Sequence, residues 1–340
     1  MLTDTPQQPK QGAAAGEAWR AQLAGAYRDP RALIAELALP EALVEPAERA
    51  AEAYPLRVPP SYVSRMQRGD PDDPLLRQVL PLGAELDAAP GYTADPLAEH
   101  PRRAGPGLLE KYPGRALILA TGGCAVHCRY CFRRGAPHAA EPGWRRALEH
   151  LERHGAPEEV ILSGGDPLLL DDAALGEALE RLARVPGVRR VRIHTRLPVA
   201  IPERVTPVLR DRLAASPLPV VVVVHANHPQ EVDAATAAAL AALGRSAHTA
   251  LNQAVLLRGV NDSVPALAGL SERLFDAGVL PYYLHLPDPA AGTAHFDVDA
   301  ETARALAAAL AAHLPGYLVP RLAREEPGAG AKTVLSPTGP

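Results

Sequence analysis

Six short apolar runs, each followed by a stretch with helical spacing, occupy the chain from Arg115 onward. The apolar runs are predicted to be strands at Ala116–Thr121, Glu159–Ser163, Val188–His194, Pro219–His225, Thr249–Leu257 and Leu280–Leu286. The helices are predicted at Trp144–His154, Asp172–Arg184, Pro202–Ala215, Val232–Leu243, Pro265–Ala277 and Ala300–His313. Apolar strands that alternate with helices are typical of a parallel sheet buried on both faces. The pattern predicts an α/β fold, a partial (β/α)6 barrel of the TIM type, rather than an open doubly wound sheet.

Residues 1–108 have a different pattern and are predicted to form a helical region packed on the barrel. Glu17 to Leu37 has helical spacing interrupted at Asp29-Pro30, and Pro46 to Tyr54 forms a second candidate helix. Proline pairs and Asp-Pro steps then break regular structure. We therefore expect three parts: the N-terminal region at 1–108, the barrel at 109–315 and a C-terminal segment at 316–340.

Composition excludes several classes of protein. Lys plus Arg is 35 and Asp plus Glu is 39, a net charge of 35 − 39 = −4, and this argues against nucleic-acid binding. The sequence contains no run of eighteen apolar residues, so it predicts no membrane-spanning segment. The first residues lack the basic-then-apolar pattern of a secretory signal. All three cysteines lie within eight residues rather than in a disulfide framework, so we expect a reducing compartment, the cytoplasm.

Polar or glycine-rich signatures stand where the predicted strands end. They are Thr121–Cys124, Ser163–Pro167, His194–Arg196, His225–His228, Asn252-Gln253 and Asp288. In β/α barrels the chemistry lies at the carboxyl ends of the strands. The sequence therefore predicts one active site built from all six strand ends.

The most specific of these signatures is Cys124-Ala-Val-His-Cys128-Arg-Tyr-Cys131. Three thiolates with this spacing can bind three irons of a [4Fe–4S] cluster and leave the fourth iron open. The alternatives are buried apolar cysteines or a zinc site. A structural zinc usually takes four ligands, and His127 is poorly placed to be the fourth because it adjoins Cys128.

This motif at the end of a first barrel strand resembles the radical S-adenosylmethionine superfamily. The resemblance implies that the open iron chelates S-adenosylmethionine. Ser163-Gly-Gly-Asp-Pro167 is similar to the glycine-rich segment beside the methionine moiety in that superfamily, which implies cofactor contacts for Gly164, Gly165 and Asp166. Glycines suit that role because they let backbone approach a ligand closely.

A narrower resemblance, from about Leu56 to Lys332, is to the lysine 2,3-aminomutase family. It is closest to the shorter bacterial branch that makes (R)-β-lysine for elongation factor P, especially in residues 57–81. The segments that carry it are KYPGR, CAVHCRYCFRR, SGGDPL, RIHTRLPV, LNQAVLLRGVND, PYYLHLPD, GYLVPRLARE and RVPPSYVSRMQRGDPDDPLLRQVLP.

The family resemblance also implies roles for single residues. Lys332 matches the lysine that carries pyridoxal phosphate, and Arg133 matches the arginine that pairs with the substrate carboxylate. Asp288 and Glu325 match carboxylates that face the substrate ε-ammonium, although Glu325 stands where longer relatives have aspartate. The remaining candidates are cofactor contacts: Lys111 and Arg115 beside pyridoxal phosphate, His225, Asn227 and His228 near the adenosyl group, and Asn252 and Gln253, each either facing the cofactor or bonded within the barrel.

We therefore expect an isomerase that converts free (S)-α-lysine to (R)-β-lysine with a [4Fe–4S] cluster, S-adenosylmethionine and pyridoxal phosphate. The expected partners are a reductant such as flavodoxin or ferredoxin and, functionally, elongation factor P with its lysyl ligase. A homo-oligomer is the candidate assembly. The first alternative is a lysine 2,3-aminomutase for lysine catabolism or osmolyte synthesis. The second is a non-catalytic iron–sulfur or zinc protein.

Overall fold

A computed structural model describes residues 11–135 and 143–337. Residues 1–10, on which the expected lack of a secretory signal depends, lie outside the described part. The N-terminal region contains helices α1 (Gln11–Ala24), α2 (Pro30–Glu36), α3 (Val44–Ala53) and α4 (Pro60–Val63). The predicted break is present because the Asp29 carboxylate accepts a hydrogen bond from Arg31 N at 3.0 Å and caps α2.

In the part of the chain that the structure describes, one mixed sheet of ten strands follows, and its strands are arranged in chain order. The strands are β1 (Arg103–Gly105), β2 (Leu108–Tyr112), β3 (Arg115–Thr121), β4 (Glu159–Gly164), β5 (Arg190–Thr195), β6 (Val220–Val224), β7 (Thr249–Val255), β8 (Leu280–His285), β9 (Arg321–Arg324) and β10 (Thr333–Val334). Strands β3 to β9 are parallel, whereas β1, β2 and β10 are added in antiparallel fashion at the two edges.

Helices connect the parallel strands. They are α5 (Trp144–His154), α6 (Asp172–Arg184), α7 (Leu197–Ala200), α8 (Pro207–Ala214), α9 (Ala234–Ser246), α10 (Val264–Asp276) and α11 (Ala300–His313). The segment predicted as one helix at Pro202–Ala215 is instead a 3-10 turn followed by α8. The first element ends at Arg204, and Thr206 caps the second because its hydroxyl accepts from Leu209 N at 3.0 Å.

The six predicted strands are β3 to β8, which confirms the α/β class. The four edge strands were not predicted, and β1 lies inside the region expected to be helical. Their length explains the difference: β1, β2, β9 and β10 have three, five, four and two residues, so none of them has a sustained apolar pattern. These edges extend the barrel sheet beyond the six expected units.

The N-terminal region packs directly on the barrel. Arg65 on the segment after α4 donates to Val199 O at 2.7 Å and to Glu231 O at 2.6 Å. Leu33 and Tyr62 belong to the same buried cluster as barrel residues such as Leu209. Within the described residues, no helix is long and apolar enough to cross a membrane.

Candidate active site

The carboxyl ends of the parallel strands surround an open cavity of about 1080 Å³. All three cysteines, Asp288 and Lys332 line it, although they lie up to 208 positions apart in the chain. A second cavity of about 730 Å³ adjoins it and shares Arg133, His225 and Lys332 in its wall. Parallel strands of one sheet end at the same edge, so residues distant in sequence reach one site.

The three cysteines are free thiols in this cavity wall. Burial raises the pKa of Cys131 to about 11, and the negative charge of Cys128 adds to this effect. Burial, together with the charges of Asp166 and Cys131, raises the pKa of Cys124 as well. Mutual repulsion between buried thiolates is relieved by a cationic iron cluster, so the donor set fits one. Among the described residues, no three His, Cys, Asp or Glu side chains converge as they would on a single metal ion.

Two arginines, one within the cysteine motif and one three residues after it, hold this loop against a buried glutamate. Arg129 donates to Glu85 Oε1 at 2.8 Å and Oε2 at 2.5 Å, and Arg134 donates to Glu85 Oε2 at 2.5 Å. The Glu85 side chain is 1% exposed. Sequence reasoning missed this glutamate because its partners lie more than forty positions away.

Arg196 also contacts the cysteine motif. Its Nη1 lies 2.6 Å from Cys128 Sγ and 2.8 Å from the Tyr130 hydroxyl. Its Nη2 donates to Gln78 Oε1 at 2.7 Å and lies 3.3 Å from Glu231 Oε2. The predicted strand end at His194–Arg196 signalled this residue, but its contact with the cysteine loop was not predicted.

The glycine-rich segment after β4 lies against the cysteine loop. A Cβ on Gly165 would lie 2.2 Å from Gly123 O, so only glycine fits there. The Asp166 carboxylate accepts from Thr195 Oγ1 at 2.6 Å, Arg196 N at 2.7 Å and Leu197 N at 2.9 Å. Asp166 borders the cavity, but it serves mainly to tie β4 to the end of β5. Gly164, the last residue of β4, has φ +93° and turns the chain out of the strand.

Lys332 lies in the cavity wall near β10. Its Nζ donates to Glu325 Oε2 at 3.0 Å and lies 3.4 Å from His285 Nε2. The ammonium also sits 5.5 Å from the centre of the Tyr283 ring. Burial and the nearby charge of Lys332 lower the pKa of His285 to about 3, so this histidine is neutral at physiological pH.

Glu325 connects Lys332 to Lys111. Its Oε1 accepts from Lys111 Nζ at 2.5 Å and from the Tyr112 hydroxyl at 3.0 Å. Burial acts to raise the pKa of Glu325, but the two ammonium groups outweigh it and lower that pKa to about 2. For Asp288 the balance is reversed: burial and the Glu325 charge raise its pKa to about 7.

Arg133 is paired with Glu99, a residue that sequence reasoning did not single out. Its Nε donates to Glu99 Oε2 at 2.8 Å and its Nη2 donates to Glu99 Oε1 at 2.7 Å. Lys111 Nζ lies 3.5 Å from the same carboxylate. The Arg133 side chain still borders the cavity, with 13% of its surface exposed.

The second cavity is lined by cationic groups. Arg115, Lys111 and Arg192 all belong to its wall, and Arg192 also forms an ion pair with Glu159. Three cationic side chains of this kind can bind a phosphate group. Arg192 was not predicted; it can be found from the alternation of β5, since it shares the inward face with His194.

Strand alternation separates Asn252 from Gln253. Asn252 faces outward and both donates to and accepts from the backbone of Ala226, at 3.1 and 2.9 Å. Gln253 faces the cavity, with its Nε2 3.2 Å from His225 Nε2. Successive side chains of a strand point to opposite faces, so only one of this pair can reach a cofactor.

The remaining predicted contacts lie at the end of β6. Burial and the positive charge of Arg196 lower the pKa of His225 to about 3, so it is neutral in the cavity wall. Asn227 also borders the cavity, but its Nδ2 donates to Tyr130 OH at 2.7 Å and Gln78 Oε1 at 2.9 Å. His228 does not line the two described cavities; its Nδ1 accepts from Gln230 N at 3.3 Å.

Comparison with known proteins identifies the family. A model described as the radical SAM superfamily matches residues 118–216. The chain is 48% identical to the L-lysine 2,3-aminomutase of Escherichia coli (strain K12) over 324 residues, covering 94% of both chains. It is 44% identical to that of Haemophilus influenzae, covering 94% of this chain and 95% of that protein. With that of Clostridium subterminale the identity is 33%, covering 94% of this chain and 78% of that protein.

These matches confirm the predicted family and enzyme class, an isomerase. They also confirm the predicted cofactor set of that family, a [4Fe–4S] cluster, S-adenosylmethionine and pyridoxal phosphate. Which residues of this chain bind each cofactor stays a prediction. The chain belongs to the radical SAM superfamily and, within it, to the L-lysine 2,3-aminomutase family.

Proposed function

We propose that this protein converts (S)-α-lysine to (R)-β-lysine, with the cluster on Cys124, Cys128 and Cys131 and pyridoxal phosphate on Lys332. The observation that carries the proposal is that the three thiols and the Lys332 amine line one cavity. When bound, the reduced cluster and S-adenosylmethionine supply a carbon radical that takes an unactivated hydrogen atom, and pyridoxal phosphate supplies a π-system for the migrating nitrogen.

The chain's own residues prepare the Lys332 amine. A lysine that forms a bond to a carbonyl cofactor must give up its proton. His285 is neutral and its Nε2 lies 3.4 Å from the Lys332 Nζ, so it can accept a hydrogen bond from the amine without placing a second positive charge beside it. Glu325 holds the amine in the cavity, and the cationic wall of the second cavity, Lys111, Arg115 and Arg192, suits a phosphate group.

The same cavity provides complementary charges for lysine. Arg133 is the proposed partner of the substrate carboxylate, and a planar guanidinium suits that task. Asp288 and Glu325 are the proposed partners of the ε-ammonium, because a buried ammonium needs a compensating carboxylate. Asp288 supports this role since no hydrogen bond from a described residue reaches its carboxylate.

The test is anaerobic reconstitution with iron, sulfide and pyridoxal phosphate, followed by incubation with lysine, S-adenosylmethionine and dithionite. We expect β-lysine by mass spectrometry from the wild type and none from Cys128→Ala. We expect Lys332→Ala to lose the pyridoxyl label that borohydride fixes on the protein while it keeps the cluster. Labelling of Lys111 instead would contradict the assignment of Lys332.

We further propose that the β-lysine serves elongation factor P, in the cytoplasm, where flavodoxin or ferredoxin can reduce the cluster. Residues 57–81 and the higher identity to the Escherichia coli relative than to the clostridial one support this branch. The mass of elongation factor P from cells that lack this gene decides the matter. An unchanged mass would favour the catabolic or osmolyte alternative.

A further inference from the structure

The side chain of Glu99 is one of the most deeply buried carboxylates beside the cavity, with 1% of its surface exposed. It does not line the cavity itself. Both of its oxygens accept from Arg133, at 2.8 and 2.7 Å. A residue in this position acts on a ligand in the cavity through the side chains that it contacts.

The backbone around Glu99 is built to hold it there. Ala98 has φ +48°, a left-handed conformation that is uncommon for a residue with a Cβ. Asp95 fixes the following turn, because its carboxylate accepts from Glu99 N at 2.9 Å and His100 N at 3.2 Å. Strained backbone persists where the surrounding structure determines it, and it is frequent at functional sites.

The contact leaves one edge of Arg133 available. A guanidinium can present two N–H groups along its Nε–Nη2 edge and two along its Nη1–Nη2 edge. Glu99 occupies the first edge. The plane of the group is fixed further by Phe132, whose ring centre lies 4.6 Å from Arg133 Cζ. The second edge is therefore the one that can meet a carboxylate in the cavity.

Glu99 also belongs to a row of alternating charges along the wall. The row runs Arg133, Glu99, Lys111, Glu325 and Lys332, with neighbouring charged atoms 2.7, 3.5, 2.5 and 3.0 Å apart. Each cation in this row is held between or beside carboxylates. The position of Arg133 is thereby tied to that of Glu325 at the proposed ammonium end of the site.

We propose that Glu99 is a positioning residue for substrate selectivity: it fixes the Nε–Nη2 edge of Arg133 so that the Nη1–Nη2 edge binds the α-carboxylate of the amino acid. This inference rests on the proposed function, in which Arg133 receives that carboxylate. Glutamine at position 99 would keep one acceptor oxygen but replace the other with an NH2 group, which cannot accept from the guanidinium. One of the two hydrogen bonds to Arg133 would be lost, and the Nε–Nη2 edge would no longer be held in one orientation.

The experiment compares Glu99→Gln and Glu99→Asp with the wild-type holoenzyme, on L-lysine and on L-lysinamide, which lacks the carboxylate. The control is Glu110→Gln, an exposed glutamate on β2. For Glu99→Gln we expect kcat/KM on lysine to fall by about 30-fold, mostly through KM, because the substrate loses oriented binding. The ratio of kcat/KM on lysine to that on lysinamide should fall by about 10-fold, and Glu99→Asp should give an intermediate ratio.

Iron content and lysine-independent cleavage of S-adenosylmethionine report folding separately from selectivity. If Glu99→Gln does not retain the cluster, Glu99→Asp decides, because it keeps the charge but withdraws it by one methylene. An unchanged lysine-to-lysinamide ratio in a folded variant overturns the inference alone. A wild-type enzyme with an intact cluster that makes no β-lysine overturns the proposed function, and the inference with it.

Discussion

At the scale of single residues, Asp288 and Glu325 show how neighbours divide the charge of one cavity. Burial opposes ionisation of both. Glu325 contacts two ammonium groups, whereas no ammonium of a described residue forms an ion pair with Asp288. Glu325 is therefore ionised, while Asp288 keeps a pKa of about 7. A carboxyl group held near this pKa can ionise when a substrate ammonium arrives.

Asp288→Asn should consequently stabilise the ligand-free protein at alkaline pH. The pKa of Asp288 rises from 3.8 to about 7 on folding, so its favourable contribution is complete below pH 3.8 and is lost as the pH rises through 7. As the pH rises from 5.5 to 8.5, the free energy of unfolding of the variant should increase by about 2 kcal/mol relative to that of the wild type. Thermal unfolding at both pH values measures the gain, with the exposed Asp262→Asn as control. An equal Tm difference at the two pH values would contradict the pKa assignment.

At the scale of elements, the turn after β4 and the loop after β3 form one unit. Gly165 N donates to Thr121 O at 3.0 Å, and Asp166 N donates to Gly123 O at 2.8 Å. These backbone bonds set the distance between the glycine-rich turn and the cysteine loop. The glycine-rich turn therefore fixes the position of Cys124, the first residue of the cysteine motif.

Gly165→Ala should displace the cysteine loop, whereas Gly123→Ala should not. A Cβ at Gly165 would meet Gly123 O at 2.2 Å and Thr121 Oγ1 at 2.7 Å, but a Cβ at Gly123 meets nothing within 4 Å. We expect Gly165→Ala to retain less than about half of the iron after reconstitution, because misplaced ligands bind a cluster poorly. Iron per chain and circular dichroism check this result. Equal iron in the two variants would show that the loop adjusts.

At the scale of the whole molecule, side chains from the N-terminal region support the loop that carries the three cysteines. Glu85 from this region accepts from Arg129 in the cysteine motif and from Arg134 just after it, and Gln78 accepts from Arg196. The Arg129 and Glu85 side chains are 0% and 1% exposed. Loss of one partner of such a buried pair leaves uncompensated charge.

Glu85→Ala should therefore lower the free energy of unfolding by about 3–5 kcal/mol. The matched control is Glu48→Ala, which removes an exposed ion pair with Arg31 and should cost less than about 1 kcal/mol. Denaturant unfolding of both apo variants measures the difference. Similar losses in the two variants would mean that the buried pair contributes no more than a surface one.

The sequence by itself determined the order of β/α units and the cysteine motif, because both are written in local patterns. A strand buried on two faces needs an apolar run, and three thiols within eight residues reach one cluster wherever the loop is placed. The tertiary structure decided which distant side chains hold the cysteine loop and Arg133 in place. Glu85, Glu99 and Arg196 lie 44, 34 and 68 positions from their contacts in or just after the cysteine motif, so only the path of the chain brings them together. It also decided that Gln253 and not Asn252 faces the cavity, since the pleat of β7 places adjacent side chains on opposite faces.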